Sequence, residues 1–369
     1  MNQIEIKSNQ NNNHQNGNDS LIKKPLIITK SDADFFERVK FIGIVYSKAD
    51  RKFFPTEEAY LAEAEVFQRA NILSDILEKW GINTKLYLGD EKLLPKILRD
   101  KPDIILNLVD SVRGLEILAT CIPAILDLSQ TSYTGCGIYA FILSTNKVLI
   151  KELLESSGIP TPKYQLVRNW KEEINPELKY PLITKLNNYN GSVGITNDAV
   201  SENERHLRKR LRWLTRKYKR PVIIEEFTGE REVSAIVLEG PGGRKSVYMG
   251  EKIFNPTKKR KHNFCSYEAS WVEENAYNYV KFESKEIENY SKLIFDLMNM
   301  ADYAKYDIRL DSEGKPFFID CNPNPALGPK STDCAIANIT SLYDISFNEV
   351  LIRILKSALV TSPRVESKL

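Results

Sequence analysis

Residues 303–322 read YAKYDIRLDSEGKPFFIDCN and predict two strands joined by a turn. The turn, Asp311-Ser312-Glu313-Gly314, has a composition typical of tight turns. Side chains alternate between the two faces of a strand. Asp307 and Arg309 therefore share one face of the first strand, and Asp320 and Asn322 share one face of the second. On strict alternation, Phe318 lies with Asp320, whereas the opposite face carries Phe317, Ile319 and Cys321.

A metal site is predicted at the charged face of this hairpin. Folding the hairpin about its turn brings Asp307 and Asp320 to about the same level, where two carboxylates would repel each other. A divalent cation removes that repulsion, and carboxylate and amide oxygens are ligands that suit Mg²⁺. Asp307, Asp320 and Asn322 are thus candidate ligands for Mg²⁺, with Mn²⁺ as an alternative metal. The other interpretation is a solvated charged face beside Lys305 and Arg309.

Two earlier segments have the features of a nucleotide site. Lys185 ends a predicted strand and precedes the loop Asn190-Gly191-Ser192-Val193-Gly194, whose backbone N–H groups can surround phosphate oxygens. Residues 222–227, VIIEEF, form a strand that can offer backbone groups to an adenine edge and a carboxylate to a ribose. Each has a simpler interpretation: an ordinary turn, a strand emerging into solvent, or, for Lys147 and Lys185, lysines whose ammonium groups reach water.

The region before these segments alternates strands and helices, which predicts a parallel α/β sheet. It has no GxGxxG after its first strand, so it lacks the signature of a dinucleotide-binding domain. Asp110, Ser111 and Arg113 follow the third predicted strand, where ligands of open α/β sheets bind. They are candidate substrate residues, and the alternative is a solvated loop that caps the next helix. From about residue 160 the strands are grouped, which is typical of an antiparallel, α+β region.

Four segments are predicted from these changes of pattern. Residues 1–35 are rich in Asn, Gln, Ser and Lys and form a disordered polar tail. Residues 36–135 form the N-terminal α/β domain, residues 136–220 a central subdomain, and residues 221–362 a C-terminal subdomain.

Composition excludes several classes of protein. With 369 residues, 42% of them hydrophobic, the chain can bury more than one core, and a net charge of +3 gives no general reason to expect nucleic acid as a partner. Five scattered cysteines without a CxxC pair and three histidines argue against a zinc site and favour a reducing cytoplasm. No apolar run reaches the roughly 20 residues needed to cross a membrane, and no signal peptide is evident. A nucleic-acid-binding module is a weaker alternative interpretation, and the basic helix of residues 205–220 is the feature that supports it.

Taken in order, these segments resemble the ATP-grasp superfamily, and within it D-alanine–D-alanine ligase and its relatives. The stretches that carry the resemblance run discontinuously from Tyr133 to Ala326: YTGCGIYAFILSTNKVLIKELLESSGIPTP, YPLITKLNNYNGSVGI, VIIEEFTGEREVSAIVL and YAKYDIRLDSEGKPFFIDCNPNPA. The resemblance implies an α/β N-terminal domain followed by α+β domains whose antiparallel sheets grip ATP.

The resemblance also implies roles for individual residues. The ATP-binding set comprises two phosphate lysines, the loop over the phosphates, the adenine hinge and the ribose acid: Lys147, Lys185, Gly191, Ser192, Val193, Gly194, Glu225, Glu226, Phe227 and Glu232. The magnesium ligands are Asp307, Asp320 and Asn322. The candidate catalytic residues are Lys305, Arg309 and Ser192. Ser331 is a candidate substrate contact, and Arg113, Lys305 and Arg309 supply positive charge for a substrate carboxylate.

Five departures separate the chain from the dipeptide ligases. Lys305 stands where those ligases have arginine, and arginine presents a rigid two-pronged donor whereas lysine is a point charge. Gly191 replaces a serine of the loop, Ser270 replaces a lysine near the γ-phosphate, and Asp320 replaces a glutamate. The segment from Asp110 to Gly114 replaces their substrate-binding segment. D-alanine is therefore not the first expectation for the substrate.

The expected function is ATP-dependent ligation of a carboxylate to an amine through an acyl-phosphate intermediate. The expected reaction joins an amino acid to a small carboxylated precursor in specialised metabolism. One alternative is D-alanine–D-alanine ligase itself. Another, of a different class, is a non-catalytic ATP-binding protein. The expected partners are small-molecule carboxylates and amines, with no nucleic acid and no membrane, and the resemblance leaves a homodimer open.

Overall fold

The computed structural model describes residues 30–258 and 260–362. Its first part is a four-stranded parallel sheet in the spatial order β2-β1-β3-β4. The strands are β1 (Phe41–Tyr46), β2 (Asn83–Leu88), β3 (Ile104–Leu108) and β4 (Ser132–Tyr133). The helices of this part are α1 (Lys30–Arg38), α2 (Glu57–Ala64), α3 (Val66–Lys79), α4 (Leu93–Asp100), α5 (Glu116–Ala119) and α6 (Cys121–Ser129). The predicted parallel α/β sheet is confirmed.

The predicted polar tail extends too far into the chain. Its first 29 residues lie outside the described residues, but its last six belong to α1. Phe35 is buried in the core of the first sheet, and the ring of Phe36 contacts Trp80 edge-on at 6.1 Å between centroids. The prediction extended the polar composition of residues 9–18 too far along the chain. Its C-terminal bound, residue 35, is wrong, because helix α1 begins at Lys30.

The second sheet is antiparallel, with the order β5-β8-β6-β7. Its strands are β5 (Tyr164–Val167), β6 (Leu182–Leu186), β7 (Val200–Ser201) and β8 (Val222–Glu226). Helices α7 (Ile138–Ser144) and α8 (Lys147–Ser156) precede it, and α9 (Glu204–Tyr218) packs on it. Because β8 pairs with both β5 and β6, the boundary predicted between residues 220 and 221 divides one sheet and is wrong at that point.

The third sheet has five antiparallel strands in the order β11-β10-β9-β12-β13. They are β9 (Arg231–Glu239), β10 (Lys245–Phe254), β11 (Tyr277–Phe282), β12 (Tyr303–Leu310) and β13 (Pro316–Asn322). The accompanying helices are α10 (Tyr267–Trp271), α11 (Lys285–Leu297), α12 (Ala335–Thr340) and α13 (Phe347–Thr361). Three-residue 3₁₀ turns cover Arg51–Phe53, Lys330–Thr332 and Ser341–Tyr343. Within the described ranges, no helix combines the length and apolarity that a membrane span requires.

The two faces of the third sheet have different surroundings. One face is apolar and packs against α11, with Val233, Ala235, Tyr306, Ile308 and Phe318 among its buried residues. Part of the other face, around Ile236 and Leu238, packs against α12 and α13. The remainder of that second face carries charged side chains, which leaves it available to a polar ligand.

A β-bulge sets the register of the hairpin formed by β12 and β13. Asp307 pairs with Asp320, as the sequence predicts, but the next pair is Ile308 with Phe318, so Ile319 is extra. Strict alternation is therefore wrong on the far side of the bulge. Phe318 turns into the core with 1% of its surface exposed, while Phe317 is partly exposed.

Replacing Phe318 by alanine removes a buried ring that contacts Tyr290 and Tyr306 at 6.1 and 6.0 Å between centroids. Phe318→Ala is expected to lower the free energy of unfolding by about 3–5 kcal/mol, because it leaves a cavity. The matched variant Phe317→Ala is expected to cost about 1 kcal/mol or less. Urea unfolding of both variants measures the difference, and the reverse order would contradict the bulge.

Candidate functional site

The candidate site lies on the charged face of the third sheet, where three rows run across β10, β9, β12 and β13. Rows two residues apart place their side chains on the same face. The first row is Lys252, Glu232 and Arg309, the second is Ser234, Asp307 and Asp320, and the third contains Lys305 and Asn322. The rows bring together all three predicted metal ligands and the predicted ribose acid.

Asp307 is held by three donors. Its Oδ1 accepts a hydrogen bond from Ser234 Oγ at 2.6 Å and lies 3.5 Å from Lys252 Nζ, while its Oδ2 accepts from Lys305 Nζ at 2.5 Å. Burial opposes ionisation of this carboxyl, but the ammonium groups of Lys252 and Lys305 outweigh burial and hold the pKa of Asp307 well below its usual range. Asp307 is consequently an anion that is already paired with cations.

Glu232 is also fully engaged with donors of the protein. Its Oε1 accepts from Lys252 Nζ at 2.5 Å, and its Oε2 accepts from Arg309 Nη1 and from the Cys265 backbone N–H, both at 3.2 Å. The predicted contact of Glu232 with a ribose stays a prediction. A ribose hydroxyl would have to bind the same carboxylate oxygens as Lys252, Arg309 and the Cys265 N–H.

Arg309 cross-links two loops of the protein. Besides Glu232, its guanidinium donates to the carbonyl oxygens of Thr228 at 2.7 Å, Gly229 at 2.5 Å and Asn263 at 3.0 Å. The group also lies 4.2 Å from the centroid of the Phe227 ring. These acceptors engage four of its five N–H donors, and the role of Arg309 as a catalytic cation for a substrate carboxylate stays a prediction.

Asp320 and Asn322 have oxygens with free capacity. The nearest cation to Asp320 is Lys147, 3.5 Å from Oδ1, and about a third of the Asp320 side chain is exposed. Asn322 Oδ1 accepts one hydrogen bond, from the Asn324 backbone N–H at 2.9 Å. No group of three or more His, Cys, Asp or Glu side chains suited to a metal is present in the described part of the chain. Asp320 and Asn322 nevertheless fit Mg²⁺, because carboxylate and amide oxygens are donors that suit this cation.

Helix α8 presents two lysines to the site from one face, four residues apart. Lys147 Nζ lies 3.5 Å from Asp320 Oδ1 and 3.3 Å from Asn190 Oδ1. Burial lowers the pKa of the Lys151 ammonium to about 8, although Glu225 opposes that shift. The spacing of Lys151 from Lys147 was a signal in the sequence that our prediction did not use.

Glu225 lies between two ammonium groups on β8. Its Oε2 is 2.9 Å from Lys185 Nζ and 3.4 Å from Lys151 Nζ. Burial raises the pKa of the Glu225 carboxyl, but the two lysines outweigh it and lower the pKa overall. Glu225 Oε1 is buried and has no hydrogen-bond donor among the described residues. An unused buried acceptor of this kind fits a ligand with an exocyclic amino group, as adenine has.

The two residues after Glu225 are used differently from the prediction. Their backbone N–H groups donate to the Lys163 and Pro181 carbonyl oxygens, each at 2.9 Å, so these amides do not read an adenine edge. The Glu226 side chain accepts from the Lys179 backbone N–H, whereas it is Glu225 that pairs with Lys151 and Lys185. Phe227 packs against Phe264 and Arg309. The adenine hinge prediction is thus wrong for the amides of Glu226 and Phe227.

The lid loop (residues 190–194) crosses the site and touches the N-terminal domain. Gly191, Ser192 and Gly194 have φ angles of +63°, +59° and +75°, a conformation that favours glycine. Asn190 donates from its backbone N–H and its Nδ2 to the two carboxylate oxygens of Glu116, at 2.6 and 2.7 Å. Trp271 Nε1 donates to the Gly191 carbonyl oxygen at 2.9 Å. These hydrogen bonds hold the loop in place.

Ser192 and Val193 complete the description of the lid loop. Ser192 Oγ is 3.4 Å from the Cys265 carbonyl oxygen, and Val193 is buried in the core of the second sheet. Among the described residues, this carbonyl oxygen is the hydrogen-bond partner of the Ser192 hydroxyl, and the catalytic role of Ser192 stays a prediction.

The predicted substrate residues of the N-terminal domain separate into two groups. Asp110 pairs with Arg69 at 3.2 Å, and Ser111 Oγ donates to the buried Glu63 at 2.7 Å. Burial, assisted by Asp110, raises the pKa of Glu63 to about 8. Arg113 instead pairs with Glu91, and 58% of its side chain is exposed, so the structure does not bring it to this cluster. Ser331 lies exposed in the turn Lys330–Thr332.

Sequence reasoning missed four residues that shape the site: the buried Glu63, Lys151 and Lys252, and the half-buried Glu116. Apart from the spacing of Lys151, nothing local distinguishes them, since each owes its position to a partner far along the chain. Lys252, for example, meets Glu232 only because β10 pairs with β9.

Glu116→Ala removes the acceptor of two hydrogen bonds from the lid loop. Amide hydrogen exchange of residues 190–194 is expected to accelerate by about tenfold, because hydrogen bonds to a carboxylate contribute roughly 1.5–3 kcal/mol. The variant Glu91→Ala, on the same domain, serves as the control. Unchanged exchange in the lid loop would show that Trp271 and Ser192 suffice to hold it.

The chain matches a family of known proteins over more than half of its length. Residues 153–355 match the family model described as D-ala D-ala ligase C-terminus. An uncharacterized protein of Sinorhizobium fredii, y4sG, is 26% identical over 269 residues, which cover 69% of this chain and 77% of that protein. D-alanine–D-alanine ligase of Aquifex aeolicus is 27% identical over 242 residues, covering 64% of this chain and 77% of the ligase.

Solved structures support the same fold. The crystal structure of D-alanine–D-alanine ligase from Bacillus anthracis complexed with ATP superposes with a TM-score of 0.65 at 15% identity, covering 87% of this chain and 98% of that one. The predicted fold class, with an α/β N-terminal domain and antiparallel ATP-grasp sheets, is confirmed. The chain belongs to the D-alanine–D-alanine ligase C-terminal family and is an ATP-grasp ligase related to D-alanine–D-alanine ligase.

Proposed function

We propose that this chain joins a carboxylate to an amine at the expense of ATP. The γ-phosphoryl group passes to the carboxylate oxygen and ADP leaves. The amine then attacks the acyl phosphate, so that a C–N bond forms as phosphate departs with the electron pair of the C–O bond. The observation that carries the proposal is the position of Lys147, whose ammonium lies between Asp320 and the lid-loop residue Asn190.

The nucleotide is proposed to lie between the second and third sheets. Lys147 and Lys185 are positioned to neutralise its phosphates, and Glu225 Oε1 is positioned to accept from its base. The backbone of Gly191, Ser192, Val193 and Gly194 would cover the phosphates. Asp320 and Asn322 would hold Mg²⁺, which when bound withdraws charge from the phosphoryl oxygens. Positioning and charge neutralisation then account for most of the catalysis.

The substrates are proposed to enter beside the N-terminal domain. Glu63, Ser111 and Asp110 form a buried polar cluster at the end of β3. Glu116, whose carboxyl interacts electrostatically with Asp110, accepts hydrogen bonds from the lid loop. A carboxylate beside a hydroxyl suits a substrate ammonium group. Lys305, the predicted cation for a substrate carboxylate, has its ammonium paired with Asp307, so the cluster on the N-terminal domain is proposed to bind the substrate through the substrate's own ammonium group.

We propose an amino acid and a small carboxylated precursor of specialised metabolism as the substrates. The departures at Lys305, Ser270 and Asp110–Gly114 support substrates other than two D-alanines. The named relatives favour the alternative, D-alanine–D-alanine ligation, which predicts that D-alanine alone stimulates ATP hydrolysis. A non-catalytic ATP-binding protein is favoured by the departures at Lys305, Gly191 and Ser270. The pairing of Lys305 with Asp307 adds to this, because it engages one predicted metal ligand.

Phosphate release from Mg-ATP, measured with pools of L- and D-amino acids and small carboxylates, tests the reaction. Release is expected with at least one pool, and Asp320→Ala is expected to reduce it by about a hundredfold or more because a metal ligand is lost. The control variant Asp75→Ala changes an exposed acid of α3 and should retain full activity. If the protein binds ATP but releases no phosphate with any of the pools, the result would support the non-catalytic alternative.

The pH dependence of substrate binding tests Glu63. With a pKa of about 8, its carboxyl is mostly neutral at pH 7 and ionised at pH 9. If it holds a substrate ammonium, the KM for the amino substrate is expected to fall by about tenfold between pH 7 and 9, following the ionised fraction. Glu63→Gln should remove that dependence. A KM profile that is the same in both proteins would exclude Glu63 from the substrate site.

A further inference from the structure

Lys252 is a buried cation that the proposed reaction has not yet used. Its side chain is 2% exposed on β10, and its ammonium lies 2.5 Å from Glu232 Oε1 and 3.5 Å from Asp307 Oδ1. Lys252 therefore places an ammonium group between two acids of the proposed nucleotide site.

The position of this ammonium follows from the pairing of three strands. Lys252 is opposite Glu232, and Asp307 is opposite Ser234, the next residue of β9 on the same face. Four-carbon side chains reach neighbouring rows of a sheet. Because β9 pairs with both β10 and β12, the register of these strands brings the ammonium of Lys252 within 3.5 Å of Asp307.

Asp307 differs from Asp320 in how much capacity it has for a metal. Its two oxygens contact two ammonium groups and one hydroxyl. Asp320 has Lys147 at 3.5 Å and a partly exposed side chain. A divalent cation beside Asp307 would be repelled by both ammonium groups in a poorly screened environment. The same cation at Asp320 and Asn322 meets oxygen donors with free lone pairs.

We propose that Lys252 and Lys305 hold Asp307 as fixed ammonium ligands, and that the nucleotide complex contains one divalent cation, bound through Asp320 and Asn322. This rests on the nucleotide site proposed above and revises the prediction that Asp307 is a metal ligand. In this arrangement the ammonium groups of Lys252 and Lys305, rather than a second metal ion, neutralise Asp307.

Counting bound Mn²⁺ tests the inference without reference to activity. The full chain is saturated with the β,γ-imido analogue of ATP, which is not hydrolysed, and free Mn²⁺ is followed by its paramagnetic resonance signal. One tightly bound Mn²⁺ per nucleotide complex is expected for the unmodified protein. Lys252→Met and, separately, Lys305→Met remove one ammonium from Asp307, so each is expected to add a second Mn²⁺ site or to tighten Mn²⁺ binding by about tenfold.

Lys281→Met is the matched control, since it removes an equal charge from an exposed position on β11 and should leave the count at one. Binding of the ATP analogue to each variant shows that the variant is folded. Two bound Mn²⁺ ions in the unmodified protein, or unchanged Mn²⁺ binding in both site variants, would overturn the inference. If the analogue does not bind to the unmodified protein, the nucleotide site itself is wrong.

Discussion

Buried charge is the constraint on which the site depends. Strand β9 lies at the centre of the third sheet, and its residues Glu232 and Ser234 contact Lys252, Arg309 and Asp307 on the strands at either side. A buried ion that loses its partner costs several kcal/mol, so none of these side chains can change alone. The charged face is therefore a single network, and the register of three strands fixes where each charge lies.

The opposite face of the same strands explains why that register is so well defined. A slip by one residue would turn the charged rows into the core beneath α11 and expose Val233, Ala235, Tyr306 and Ile308. On β13 the bulge at Ile319 allows one strand to serve the core and the site. It keeps Phe318 in the core while Asp320 stays opposite Asp307. Core packing and site geometry are thus specified by the same residues.

The sequence predicted what depends on local pattern. Alternation within β12 and turn composition placed Asp307 level with Asp320, and the order of motifs indicated the ATP-grasp fold. It could not predict what long-range contacts decide. The donors of Arg309 are taken by carbonyl oxygens about 46 to 81 residues away in the chain, and Glu63 meets Ser111 only after the first domain folds.

The replacement of arginine by Lys305 has a consequence beyond the loss of a two-pronged donor. A lysine ammonium is compact enough to lie 2.5 Å from the carboxylate two residues along its own strand, and it does so at Asp307. The charge at this position is thereby directed at the protein instead of at a substrate. Since Arg309 is also committed, the site offers a substrate carboxylate little cationic attraction near β12. Under the proposed function, the polar cluster of Glu63, Asp110 and Ser111 on the N-terminal domain would then select the substrate through an ammonium group rather than through its carboxylate.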